Sequence, residues 1–268
     1  LQEIGARNSM QFAEDAFRKS KMSMRQFHGI EINEWPAKVA STAMLLVDHL
    51  CNQAFGQSVV RLPIEETPEI VNANALRIDW DDVISPEDCD YIIGNPPFLG
   101  YSRLDDEQKT DRTKVFGKKG GQLDFVACWH RTAAEFLNGH GGDIAFVSTN
   151  SICQGQQVTP LWKPIFEMGY HINFAHRSFV WNTESEHIPN VYCIITSFSQ
   201  KEWPSKKAWE YTGRGVVEST PAILNGYLAD APTVFIDRRT KPISDVPPMS
   251  QGLKPADGGC LLLSSEDR

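Results

Sequence analysis

The sequence predicts an α/β fold in which a mostly parallel sheet is covered by helices on both faces. Short apolar runs with strand character alternate with amphipathic helical patterns through the first 200 residues. The helical patterns are long enough to connect parallel neighbouring strands, and the run 143–150 has the composition of a buried strand. Polar residues follow three of the predicted strands, at the edge where an open parallel sheet binds its ligands.

The first hundred residues contain two predicted helices and three predicted extended segments. Apolar residues recur at helical spacing over 8–21 and again over 34–55, where Pro36 suits the first turn of the second helix. The apolar faces consist of Met10, Phe12, Ala13, Ala16 and Phe17 in the first helix, and of Val39, Ala43, Leu46, Val47 and Leu50 in the second. Extended segments are predicted over 26–33, 70–78 and 90–94.

The alternation continues to residue 200 and then stops. Residues 99–122 are polar and rich in glycine and lysine, which predicts a long loop. Beyond residue 200 prolines and glycines are frequent and long periodic patterns are absent, so 201–268 is interpreted as a connector with short strands. Further helices are predicted over 123–138 and 157–168, and further strands over 143–150, 171–181 and 191–199.

Charge restricts the ways in which the chain can bind a polyanion. The formal net charge is −8, which weighs against nucleic-acid binding by overall charge, since phosphate contacts need lysine and arginine. A DNA function therefore needs a local basic surface or a part of the protein outside this chain. The basic residues after position 100 are one candidate, although acidic neighbours dilute them and a solvated loop is the alternative. They are Arg103, Lys109, Arg112, Lys114, Lys118 and Lys119.

The remaining composition predicts a soluble protein without a metal. No apolar run approaches the ~20 residues of a membrane helix, and no signal peptide opens the chain, so the cytoplasm is the expected compartment. The six cysteines form no C-x-x-C pair, which favours reduced and buried thiols. The seven histidines have no ligand spacing, so no metal site is predicted.

Two of the three polar strand ends suit a nucleoside, although each signal is weak alone. Glu31 closes the strand of "FHGIEIN", and a carboxylate there can accept hydrogen bonds from both ribose hydroxyls. Its alternative role is a carboxylate at the start of the next helix, favoured by the helix dipole. In "VNANAL", the Asn74 amide can bind the exocyclic amine of an adenine, but asparagine in a turn is usually only a turn residue.

The third strand end, Asn95-Pro96-Pro97-Phe98, carries the specific chemistry. An amino group conjugated to an aromatic ring is a poor nucleophile, because its lone pair is delocalised. Two acceptors aimed at its hydrogens, the Asn95 side-chain oxygen and the Pro96 carbonyl, would pull the nitrogen toward tetrahedral geometry. The prolines fix the backbone, and Phe98 can stack on the base. The alternative is a strand stop with a core phenylalanine.

"GNPPF" at the end of a strand resembles motif IV of the S-adenosylmethionine-dependent methyltransferases that act on adenine N6 in DNA and flip the base out of the duplex. The resemblance implies a Rossmann-like class I methyltransferase sheet, with Asn95, Pro96, Pro97 and Phe98 as catalytic residues. It also implies that Glu31 and Ile32 hold the cofactor ribose, that Asn74 and Ala75 contact its adenine, and that Asn95, Asp124 and Phe125 lie at the cofactor and target-base pockets.

Further segments resemble large single-polypeptide restriction–modification enzymes, which fuse a nuclease, a methyltransferase and a target-recognition domain. These segments are "FHGIEINEWPAKVA", "NALRIDW" and "LADAPTVFIDRRTKPISDVPPM". The resemblance implies a methyltransferase domain over 1–200 and a connector over 201–268 that leads toward a target-recognition domain, with double-stranded DNA as the partner. The glycine-rich cofactor loop of the family is absent before Phe27, so we expect the first strand and this loop to be missing from the chain.

Two other functions stay open at the level of sequence. Methyltransferases with an Asn-Pro-Pro-aromatic sequence also modify RNA bases or the glutamine side chain of a protein. The missing glycine-rich loop also allows that this chain is an inactive fragment or a binding scaffold. The label-accepting substrate separates the first alternative from DNA methylation, and cofactor binding separates the second.

Overall fold

The computed structural model describes residues 22–54, 67–180, 191–237 and 244–246. The predicted helix over 8–21 lies outside these residues. The chain divides into two compact units, Leu1–Phe235 and Ile236–Arg268, and of the second only residues 236–237 and 244–246 are described. The first unit contains an α/β arrangement of eight strands and four α-helices in its described part.

The described part begins with a parallel pair of strands joined by a long helix. Strand β1 (His28–Glu31) pairs with β2 (Glu69–Asn72), and helix α1 (Glu34–Ala54) follows β1, as predicted. The predicted segment 70–78 is extended only as far as Asn72. The chain then turns, because the Asn74 side chain accepts a hydrogen bond from the Leu76 amide and the Asn74 carbonyl accepts from the amides of Arg77 and Ile78.

A six-stranded sheet forms the body of the unit, in the order β3-β4-β6-β5-β7-β8. Strands β3, β4, β5 and β7 run in one direction, whereas β6 and β8 run in the other, so most strands are parallel as predicted. Strand β6 lies antiparallel between β4 and β5. The strands are β3 (Tyr91–Gly94), β4 (Asp143–Thr149), β5 (His171–Val180), β6 (Tyr192–Ser199), β7 (Lys207–Thr212) and β8 (Gly215–Ser219).

Strands β7 and β8 continue this sheet beyond the predicted boundary at residue 200. They form an antiparallel hairpin, and β7 pairs in parallel with β5. The short strands predicted beyond residue 200 are therefore present, and they belong to the same sheet as the strands before it. Two residues are enough to turn the chain between two antiparallel strands. Residues 220–237 have no regular helix or strand.

The predicted loop over 99–122 contains a helix, so that prediction was wrong. Helix α2 (Asp106–Phe116) begins at a capping box, in which the Asp105 side chain accepts from the Gln108 amide and the Gln108 side chain accepts from the Asp105 amide. The helix was missed because its most buried residues, Asp111 and Arg112, are charged, and they give no apolar periodicity.

The main core lies between one face of the six-stranded sheet and the helices α3 (Ala127–Phe136) and α4 (Val158–Glu167). Alternate residues of β4 are buried against these helices, and Trp162 and Phe198 are among the largest fully buried side chains. On the other face of β3, the side chains of Tyr91 and Ile93 are 73% and 80% exposed. Within the described residues, the predicted helical cover of both faces is therefore incomplete at β3.

Candidate functional site

The Asn95-Pro96-Pro97-Phe98 segment directly follows β3, because Pro96 and Pro97 cannot continue a sheet ladder. Asn95 and Pro97 are exposed, Pro96 is buried, and Phe98 is half-buried against the main core. Within the described residues, neither the Asn95 carboxamide nor the Pro96 carbonyl makes a hydrogen bond. The exposed Asn95 carboxamide is therefore open to a ligand, and the Pro96 carbonyl is not used by another group of the described protein.

The far end of the loop after β3 (residues 95–101), named the catalytic loop after the predicted role of its first residues, is tied to the segment that precedes α3. The Phe125 amide donates to the Leu99 carbonyl at 2.9 Å, and the Tyr101 amide donates to Asp124 Oδ1 at 3.3 Å. Asp124 is only 7% exposed, and the side chain of Gln157 accepts from its amide at 3.0 Å. The loop is consequently fixed at its far end, while Asn95 at its beginning stays exposed.

Asp124 also joins the catalytic loop to the end of β4. Its Oδ2 atom accepts hydrogen bonds from Thr149 Oγ1 at 3.3 Å and from Ser151 Oγ, and Ser151 Oγ lies 2.8 Å from Thr149 Oγ1. Phe125 is 5% exposed and packs edge-on against Trp129. Asp124 and Phe125 thus hold the catalytic loop through hydrogen bonds to its residues 99 and 101. Their contact with a cofactor stays a prediction.

Glu31 is the last residue of β1, where the sequence predicted it. One carboxylate oxygen accepts from the Asn33 amide at 3.0 Å, and the other makes no hydrogen bond within the described part of the chain. The neighbouring Ile32 side chain is 61% exposed. Asn72 Nδ2 donates to both the Glu31 and Ile32 carbonyls at 2.9 Å, so the loops after β1 and β2 are joined directly.

Asn74 and Ala75 lie in the turn after β2, and their polar groups are already used within the protein. Asn74 Oδ1 accepts from the Leu76 amide at 2.9 Å, and Asn74 Nδ2 lies 3.5 Å from Asp111 Oδ2. The Ala75 carbonyl accepts from Trp80 Nε1 at 2.8 Å. The turn role of Asn74 is therefore observed, and its role toward an adenine stays a prediction.

A small apolar cluster brings these loops together. Leu76 from the turn after β2 and Leu99 from the catalytic loop both pack against the buried cluster that contains Phe125. The ends of β2 and β3 consequently meet at one place, and the hydrogen bonds of Asp124 add the end of β4. The other members of the cluster are Leu104, Val115, Phe116, Cys128 and Trp129.

An ion-pair cluster, not anticipated from the sequence, lies beside this meeting point. The Arg77 guanidinium donates to both oxygens of Asp111, with Nε–Oδ1 at 2.9 Å, and to Glu107 Oε2 at 2.9 Å. These hydrogen bonds raise the pKa of Arg77 further above its already high ordinary value. The Asp105-x-x-Gln108 capping box was the one sequence signal that could have revealed the helix that carries Asp111.

The predicted basic surface is only partly present. Arg112 is buried and donates through Nη1 to the Leu123 carbonyl at 3.1 Å, and Lys109 pairs with Asp106 at 2.9 Å. Arg112, a candidate for the exposed basic surface, is therefore not part of it. The described candidates that stay exposed and unpaired are Arg103, Lys114 and Lys118.

The described residues contain neither a cluster of metal-ligating side chains nor a helix that could span a membrane. No group of three or more histidine, cysteine, aspartate or glutamate side chains there is arranged to hold a metal ion. None of the helices in the same residues combines the length and apolarity of a membrane span.

Three findings compare the chain with known proteins. Residues 2–210 match the family model of the MmeI DNA-methyltransferase domain. "DNA methyltransferase A" of Bacillus subtilis (strain 168) is 34% identical over 252 residues, which cover 91% of this chain and 28% of that protein. The solved structure of the type IIL restriction–modification enzyme MmeI in complex with DNA is 41% identical, with a TM-score of 0.83 over 92% of this chain and 34% of MmeI. The chain thus spans about a third of the length of these relatives.

Proposed function

The chain belongs to the family of the MmeI DNA-methyltransferase domain, and on that basis we propose that it transfers a methyl group from S-adenosylmethionine to N6 of an adenine flipped out of double-stranded DNA. Membership in the DNA-methyltransferase family agrees with the resemblance inferred from the sequence. The base, the atom, the methyl donor and the role of each residue are the proposal. The observation that carries it is the open Asn95 carboxamide at the end of β3.

In the proposed reaction, the protein activates the amino group by accepting its hydrogens. Asn95 Oδ1 and the Pro96 carbonyl accept hydrogen bonds from the two N6 hydrogens, and the nitrogen lone pair then becomes localised. When the methyl group is transferred, one of these two protons leaves the nitrogen and passes to solvent. Because Pro96 is buried and Pro97 restricts the backbone, the two acceptors stay in place without reorganisation. Phe98 stacks on the flipped base and keeps its plane fixed.

The residues at the ends of β1 and β2 fit a nucleoside. Glu31 has a carboxylate oxygen that makes no hydrogen bond in the described protein, and the exposed aliphatic side chain of Ile32 lies next to it in the chain. The carboxylate can accept from the ribose hydroxyls, and the aliphatic side chain can contact the attached base. Asn74 and Ala75 are proposed to line the adenine pocket, and Asp124 and Phe125 to complete it. S-adenosylmethionine, when bound, supplies an electrophilic methyl group.

We further propose that a strand and a glycine-rich loop outside the described residues complete the site. Both β1 and β3 have an unpaired edge in the described part, and β3 exposes Tyr91 and Ile93 on one face. A strand between β1 and β3 would pair both edges, and covering elements would bury these side chains. The nucleotide-binding face would then be continuous.

The proposed setting is a restriction–modification polypeptide. The MmeI relative carries that description and was solved with DNA, and this chain covers only 34% of it, which leaves room for further domains. We propose that nuclease and target-recognition domains belong to the same polypeptide, that 201–268 leads toward the latter, and that the whole acts in the cytoplasm. The exposed Arg103, Lys114 and Lys118 are the proposed local phosphate contacts.

The experiment is transfer of tritiated methyl groups from S-adenosylmethionine to unmethylated DNA by the native polypeptide. We expect the label to be recovered as N6-methyladenine and to be lost in the Asn95→Ala variant, whose cofactor affinity should change little. Asn138→Ala is the matched control. Asn138 is also exposed, but it precedes the parallel strand β4 and therefore lies at the edge of the sheet opposite to Asn95. This variant should keep wild-type turnover.

Three results would contradict the proposal. Near-normal turnover by Asn95→Ala would remove the assigned role of the amide. Label on RNA or on a protein glutamine, with none on DNA, would change the substrate. Cofactor binding without label on any of these substrates would mean that the two prolines only end a strand.

A further inference from the structure

Helix α2 buries two adjacent charged residues where it contacts the rest of the domain. Asp111 is 1% exposed and Arg112 is 8% exposed, whereas most of the other side chains of the helix face solvent. Only Val115 and Phe116, in its last turn, join an apolar cluster. A charged group is rarely buried unless it is paired, so the partners of these two residues define what the helix is attached to.

Asp111 attaches the helix to the turn after β2. Its carboxylate accepts three hydrogen bonds from Arg77, with N–O distances of 2.9, 3.1 and 3.0 Å, and lies 3.5 Å from Asn74 Nδ2. The planar guanidinium suits such two-pronged pairing, which fixes orientation as well as distance. The turn that carries Asn74 and Ala75 is thereby fixed relative to α2.

Arg112 attaches the same helix in another direction. Its Nη1 atom donates to the Leu123 carbonyl, and the next residue, Asp124, holds the Tyr101 amide of the catalytic loop. Adjacent side chains of α2 therefore reach two separate parts of the candidate site. A rigid helix between them keeps the distance from one part to the other constant.

We propose that α2 is a brace in which Asp111 and Arg112 act as positioning residues, holding the turn after β2 in register with the catalytic loop. This inference rests on the proposed function, in which that turn contacts the cofactor adenine and Asn95 contacts the target amine. In the reaction, Asp111 acts on cofactor affinity through Asn74 and Arg77 without touching substrate.

The test is the nearly isosteric Asp111→Asn variant of the native polypeptide. The variant keeps the side-chain volume but loses the negative charge and replaces one of the two acceptor oxygens by an NH2 group, so the two-pronged pairing with Arg77 is broken. We therefore expect the Kd for S-adenosylmethionine to rise about tenfold. The kcat for methyl transfer at saturating cofactor should change by less than about threefold, since Asn95 is untouched. Asp106→Asn is the matched control: it lies on the same helix, is 98% exposed, and should change neither value.

A second measurement separates positioning from simple loss of stability. In the double variant Asp111→Asn with Arg77→Gln, the guanidinium that keeps only Glu107 as an anionic partner in the single variant is removed as well, so the melting temperature should recover while cofactor affinity stays low. Recovery of affinity together with the melting temperature would overturn the brace, because the single variant would then have acted through stability alone.

Hydrogen exchange tests the brace without cofactor. In Asp111→Asn, the amides of Leu76, Arg77 and Ile78 should exchange faster than in the wild type, because the turn that they form loses its attachment. Unchanged exchange would overturn the brace. If the wild type binds no cofactor but Asp111→Asn still exchanges faster than the wild type, the proposed function is overturned and the brace stands.

Discussion

We expect the buried His130 to lower the free energy of unfolding of the domain in acid, and this residue belongs to the core and not to the candidate site. The ring is fully buried on α3 and stacks on Phe198 at 5.8 Å. Its Nδ1 lies 3.1 Å from the Val126 carbonyl and its Nε2 lies 3.2 Å from Ser148 Oγ. Burial penalises the charged imidazolium and lowers the pKa of His130 from 6.5 to about 4.

The sign and size of the effect follow from proton linkage. Between pH 6.5 and about 4, the unfolded chain binds a proton at His130 that the folded chain does not. The free energy of unfolding therefore falls as the pH is lowered through this window, and it is unaffected by this group above pH 7. At pH 5 the loss amounts to ~2 kcal/mol, which is about thirtyfold in the unfolding equilibrium.

The assay is hydrogen–deuterium exchange of the β4 and α3 amides at pH 7 and pH 5, corrected for the intrinsic exchange rates. Wild type should lose about thirtyfold in protection between the two pH values, and His130→Phe should lose much less, whatever its stability at pH 7. His140→Gln is the matched control, because His140 is exposed in the turn after α3. If His130→Phe and wild type lose protection equally, the buried histidine is not the source of the acid sensitivity.

Two further substitutions probe the site and the turn before β4. Glu31→Gln should raise the Kd for S-adenosylmethionine about tenfold in a binding titration, because it removes the charge that strengthens the proposed ribose contacts, and an unchanged Kd would reject that role. Gly142→Ala should lower the free energy of unfolding by more than ~1 kcal/mol relative to Gly139→Ala. Both glycines have a φ of +86°, but a Cβ at Gly142 would lie 2.7 Å from the Cys89 carbonyl oxygen, whereas one at Gly139 meets nothing within 4 Å.

The strand ends were predictable because proline and glycine act locally. Strand β3 stops at Gly94 since Pro96 and Pro97 follow, and α3 is followed by the glycine-rich turn that the sequence indicated. Strand β2 was predicted too long because apolar residues recur beyond Asn72 as far as Ile78. The side chain of Asn74 ends the extended course by hydrogen bonding to the backbone, and this competition depends on one residue rather than on the pattern around it.

Helix α2 and its ion pairs could not be predicted from periodicity. A hydrophobic pattern reports burial of apolar side chains, whereas this helix buries Asp111 and Arg112 most deeply. The partner of Asp111 is Arg77, 34 residues earlier in the chain, and no local rule connects the two. A short local motif was therefore enough to predict the candidate catalytic residues, whereas the helix that supports them depends on tertiary contacts.

The three asparagines at the strand ends illustrate why one of them carries the proposed chemistry. Asn72 uses its amide to hold the carbonyls of Glu31 and Ile32, and Asn74 uses its own to form a turn. Asn95 could not cap a turn in the same way, because the two following prolines have no N–H to offer its side-chain oxygen. The prolines thus remove the backbone N–H groups to which an asparagine side chain usually bonds. The exposed Asn95 side chain therefore keeps its oxygen free for the substrate amine of the proposed reaction.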